Sequence, residues 1–163
     1  MKNNITYVCA ILLNCFVFFS CNSTDSHSMQ GNDFKIDGIK DEFVSIIDNA
    51  ALKADTGVNF NVINSVEWTL FYIIPPYTNL DSAETYFFID LSSVKNSKIE
   101  ERDDVNLIVF YNKEKCISSF ELPRNKYNFL KSGQLDVQQI PKEYCVFIVK
   151  RDSKSGIINL KKQ

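Results

Sequence analysis

The run Trp68-Thr-Leu-Phe-Tyr-Ile-Ile74, followed at once by Pro75 and Pro76, restricts the fold of this chain more than any other segment. At the two-residue period of a strand, Trp68, Leu70, Tyr72 and Ile74 fall on one face while Phe71 and Ile73 fall on the other. Both faces are apolar, so the spacing predicts a central strand covered on both sides. The two prolines end it, because neither can donate to a ladder.

Other elements follow from periodicity. Ile39, Phe43, Ile46, Ile47 and Ala50 recur at helical spacing, which predicts a helix over 40–52 with Lys40, Asp41, Asp48 and Asn49 on its wet side. The stretch 58–66 alternates at Val58, Phe60 and Val62, but its three asparagines disfavour a strand, so it stays open. Asp81, Ser82, Ala83 and Glu84 read as a capping box opening a short helix through Phe88 or Leu91. Residues 92–104 are polar and charged, which reads as a loop. A hairpin follows, with strands 105–111 and 116–122 around a turn at 112–115. Strand 144–151, a turn at 152–156 and strand 157–160 close the list. Together these predict an α+β fold, an antiparallel sheet of about four to five strands with one or two helices packed on one face.

The first twenty residues stand apart from this pattern. Lys2 is their one charge, and an apolar run from Ile5 to Phe19 follows it. A positive start, a short apolar stretch and a small residue before the cut describe a secretory signal, and the run is short for a bilayer span. Ser20-Cys21 resembles the lipobox of bacterial lipoproteins, although Phe18 stands where that motif usually has Leu and Phe19 where a smaller residue is common. The resemblance implies cleavage after Ser20, lipidation of Cys21 and anchorage to a membrane of the bacterial cell envelope. Asn22 after the cysteine is not the inner-membrane retention signal that Asp would be, which favours the outer membrane in a Gram-negative host. Each buried CH₂ of a lipid chain contributes about 0.8 kcal/mol, so several acyl chains hold a domain without a spanning helix. Residues 22–33 are polar and aperiodic, so the organisation reads as signal peptide 1–20, flexible tether 21–33 and one α+β domain 34–163.

Charge and side-chain inventory then limit the chemistry. Loss of Lys2 takes the formal charge from −2 to −3, and no basic block is present. That balance argues against nucleic acid or an anionic lipid surface as partner. The one histidine, His27, falls in the tether, so unless it folds back the domain offers no Ser-His-Asp or Cys-His arrangement and no His-containing zinc site. No cofactor or metal is expected. Glu100, Glu101, Asp103 and Asp104 around Arg102 read as a solvated face rather than a catalytic carboxylate pair. Once the leader leaves and Cys21 carries lipid, Cys116 and Cys145 remain, either bridged in an oxidising compartment or buried as small hydrophobes. Trp68, Tyr72 and Tyr77 around the Pro75-Pro76 strand end, with Arg124 after Pro123, form the candidate binding patch, although Trp68 and Tyr72 equally suit a core.

The strings Trp68–Thr78, Leu107–Phe110 and Phe120–Arg124 resemble small bacterial lipoproteins that carry a Trp-led strand ending in Pro-Tyr-Thr and a later strand pair ending in Pro-Arg. Those proteins have no assigned activity, so the resemblance transfers no catalytic residue. The reading from sequence is a lipid-anchored, non-catalytic binding protein with an envelope protein as partner, of which an immunity or inhibitor protein is one version. The alternatives are a structural or assembly lipoprotein and, last, a carboxylate-dependent hydrolase.

Overall fold

The computed structural model describes residues 30–53, 55–130 and 137–163. Its fold is α+β, with eight strands in two four-stranded sheets among the described residues. In chain order the elements are α1 (Gln30–Ala51), β1 (Thr56–Asn59), β2 (Leu70–Ile74), α2 (Leu80–Phe87), β3 (Val105–Asn112), β4 (Lys115–Pro123), β5 (Tyr127–Leu130), β6 (Gln138–Pro141), β7 (Val146–Arg151) and β8 (Ile158–Lys162).

The first sheet runs β4-β3-β2-β6, antiparallel throughout. β2 lies inside it, with Phe71 opposite both Phe110 of β3 and Ile140 of β6. Its alternation divides two cores. Phe71, Ile73, Ile108, Phe110, Phe120 and Leu122 enter the larger one, while Tyr72, Ile74, Leu107, Val109 and Tyr111 enter the smaller. Trp68 departs from the expected face and joins Phe71 and Phe110 in the larger core, because strand pairing begins only at Leu70 and the chain bends before it. Its indole Nε1 donates to Ile63 O at 3.0 Å.

The second sheet runs β1-β7-β8-β5, with β5 and β8 parallel and the other pairs antiparallel. Val58, Phe147, Val149, Ile158 and Leu160 face the larger core from this side. Helix α1 touches β1 and β7 of this sheet and β4 of the other, so it joins the two. Ile39, Phe43, Ile47, Ala50 and Ala51 form its buried stripe. Asp48 on its flank accepts from Lys126 Nζ at 2.9 Å and from the Tyr127 hydroxyl at 3.0 Å. On the far side of the first sheet, α2 and the 3-10 turns 92–97 and 99–101 cover the smaller core with Leu80, Ala83, Leu91, Val94 and Ile99.

Several local expectations need correction. Helix α1 begins at Gln30, so residues 30–33 of the expected tether are helical. The leader, Cys21 and the tether up to residue 29 lie outside the described residues. The cap of α2 is Asn79, whose Oδ1 accepts from Ser82 N at 2.7 Å, and not Asp81. Glu84 instead accepts from Leu91 N at 2.6 Å and fixes the exit from that helix. Strands β5 and β6 were not foreseen from sequence. Cys116 and Cys145 are both free thiols. Cys145 belongs to the larger core and Cys116 packs against the smaller one, so the β2–β3 sheet stands between them and no disulfide joins them.

Candidate functional site

Where β2 stops, the chain makes a turn that separates two cavities. Pro75 and Pro76 release the ladder, and Tyr77 then adopts a left-handed backbone with φ 61°. Tyr77 N donates to Ile99 O at 2.9 Å, and the Thr78 hydroxyl donates back to Pro75 O at 2.7 Å. Glu100 Oε1 accepts from Leu80 N at 2.6 Å, so a member of the acidic cluster serves the first turn of α2. The turn is held at each step by a backbone or carboxylate contact.

On one side of this turn lies a groove of about 360 Å³, walled by Tyr77, Ser82, Tyr86, Phe87 and Val137. Its wall is aromatic and wet, with Tyr77 65% exposed and Tyr86 61%, while Phe88, just beyond α2 and outside the groove's lining, is 93% exposed. Phe87 turns inward and meets Tyr72 edge-on at 5.4 Å. Phe88 sits at the C-cap with φ 54° and ψ 47°, a left-handed conformation that favours glycine. Two exposed aromatic residues in left-handed backbone therefore bracket the eight-residue helix. Such a conformation costs a non-glycine residue roughly 1–2 kcal/mol.

On the other side lies a smaller cleft of about 190 Å³ between the two sheets, walled by Pro75, Phe129 and Leu130 and by Asn106, Asn128, Gln138 and Arg124. Asn106 and Gln138 are 5% and 7% exposed. The neighbours Val137 and Gln138 fall to the groove and the cleft respectively, as successive residues entering β6.

The four residues of the expected patch are not brought together. Trp68 and Tyr72 are buried at 3% and 1% exposure, in different cores. Tyr77 lines the groove and Arg124 the cleft. Arg124 Nη1 donates to Asp103 O at 3.0 Å, while Arg102 is the residue that pairs with Asp104 at 2.9 Å and Glu121 at 2.6 Å. Those two partners push the Arg102 pKa above its ordinary value, and the Arg102 guanidinium in turn holds the Asp104 carboxyl below its own. Within the acidic cluster, Glu100 is thus occupied by capping and Asp104 by ion pairing. Among the described residues no three His, Cys, Asp or Glu side chains converge on a point that could hold a metal ion.

Sequence reasoning missed Tyr86, Phe88 and the amides of the cleft. Asn106 carried a signal, being the one polar side chain inside the apolar run Val105–Tyr111. Phe88 carried none, because its exposure depends on where α2 ends.

None of the family models, curated proteins or solved structures compared with this chain matches it. Among the described residues no helix is long and apolar enough to cross a membrane.

Proposed function

We propose that this chain is a lipid-anchored lipoprotein of the bacterial cell envelope whose domain binds an envelope protein, without catalysis, through the groove beside α2. The lipobox-like Ser20-Cys21 and the polar residues after it support the anchor. The observation that carries the binding role is the exposed aromatic set around α2: Tyr77 and Tyr86, 65% and 61% exposed, wall the groove, and Phe88, 93% exposed and in left-handed backbone, follows the helix. Backbone strain in an exposed aromatic side chain gives the domain no packing in return, and rigid exposed aromatic rings are the side chains that dominate protein contacts. The groove would take an apolar side chain of the partner between Tyr77 and Tyr86.

A photo-crosslinking side chain placed at Tyr86 in living cells tests this, with the same probe at Arg151 on the second sheet as the control. A defined crosslinked partner is expected at position 86 alone. Phe88→Gly should weaken that crosslink several-fold while raising stability by about 1 kcal/mol through relief of the left-handed strain. Equal crosslinking at both positions overturns the binding surface. A Cys21→Ser protein that still sediments with membranes overturns the anchor.

A further inference from the structure

We infer that the cleft beside Pro75 is a second, separate site, which binds a small carboxylate of about amino-acid size. The cleft is built rather than incidental, because two polar side chains that are more than nine-tenths buried, Asn106 and Gln138, line it. Asn106 Nδ2 donates to Tyr127 O at 3.4 Å, a long hydrogen bond that a closer partner in the cleft can replace. Asn128 is pinned by donation from its Nδ2 to Asn159 Oδ1 at 2.9 Å, so the cleft's amide wall is held in place from behind.

The lining also specifies the charge of the ligand. Arg124 is the one charged side chain lining the cleft among the described residues, and no acid lines it. Its guanidinium uses one N–H on Asp103 O and keeps further donors in a planar fork that matches a carboxylate. Amides both donate and accept, which suits an amide or hydroxyl group next to that carboxylate. Pro75 and Phe129 supply an apolar wall for a short side chain. The volume of about 190 Å³ equals that of about six waters at roughly 30 Å³ each, below the usual range for drug-sized ligands. A free ammonium would find no counter-charge among the described residues of the lining, so the ligand is an N-acylated amino acid or the C-terminal end of a peptide, which share this chemistry. The cleft is distinct from the α2 groove, so either can fail alone.

Titration of the full-length ¹⁵N-labelled protein with N-acetylalanine, with acetyl-trialanine free acid and with the C-terminal amide of each tests the site by the side-chain NH₂ signals of Asn106, Asn128 and Gln138. Saturable shifts with an acid but not with its amide are expected. Response to both acids identifies a free acylated amino acid as sufficient, and response to the trialanine acid alone identifies a peptide terminus. Arg124→Gln, at an exposed side chain, should weaken binding at least tenfold with the rest of the spectrum intact, and Asn106→Leu should abolish it. Arg151→Gln should change nothing. Unmoved cleft amides with both acids at about 10 mM overturn the inference, as does equal binding of acids and amides.

Discussion

Phe43 of α1 lies flat on Phe60, with ring centroids 4.2 Å apart and planes 5° from parallel. The same Phe43 ring meets Phe71, Phe110 and Phe120 edge-on at 5.7, 6.0 and 5.6 Å. One side chain thus joins the helix to the 3-10 turn after β1 and to three strands of the first sheet. Phe43→Ala should cost about 3–5 kcal/mol in denaturant unfolding, from lost transfer and an unfilled cavity. A loss under 1 kcal/mol would show that α1 is not keyed to the core in this way.

The cap of α2 gives a paired comparison. Asn79→Ala removes the acceptor for Ser82 N and should lower stability by about 1 kcal/mol. Asp81→Ala removes a side chain that is 78% exposed and pairs with Lys95 on the surface, so its effect on the melting temperature should be clearly smaller. The reverse order would return the cap to Asp81.

The thiols should differ in reactivity. Cys145 is fully buried, its Sγ lies 2.8 Å from Lys142 O and 3.3 Å from Asn59 Oδ1, and burial pushes its pKa above the ordinary value. In native protein at pH 8, Cys116 should react with a disulfide reagent and Cys145 should not. Denaturation without reductant should release both thiols, and a missing pair would mean that a bridge exists after all.

Three tyrosines govern the alkaline limit. Burial raises the phenol pKa values of Tyr72, Tyr111 and Tyr127 above 10. The Tyr111 hydroxyl also donates to Asp90 O, an acceptor that serves only the protonated form. The unfolded chain therefore loses these protons first, so the stability they contribute is full below about pH 10 and falls as pH rises above it. Phenolate absorbance should lag behind that of free tyrosine and then appear together with unfolding. Ionisation of all tyrosines near pH 10 with the fold intact would contradict their burial.

How much of this was legible depended on how far each segment's neighbours could be inferred from its own residues. β2 and β3 were readable because both of their faces are apolar, and only an interior strand needs that. β5 and β6 are sheet edges of four residues, and Asn128, Gln138, Gln139 and Pro141 dilute their apolar pattern. Trp68 was assigned by alternation that does not extend to it, since the ladder starts two residues later. At the site, the Pro75-Pro76 stop correctly implied a displayed Tyr77. Arg124 went elsewhere because β4 leads directly towards β5, on the far side of the turn. That separation depends on pairings between distant segments, which no local pattern records.

The pairing of Val58 with Phe147 orders events in time. β1 is made early and has β7 as its one sheet partner among the described residues, so a chain leaving a ribosome carries β1 unmatched until β7 emerges. Closing such a long loop before any contact rewards it slows folding. Until then the backbone N–H and C=O groups of β1 stay unpaired, an open strand edge that invites pairing with another chain.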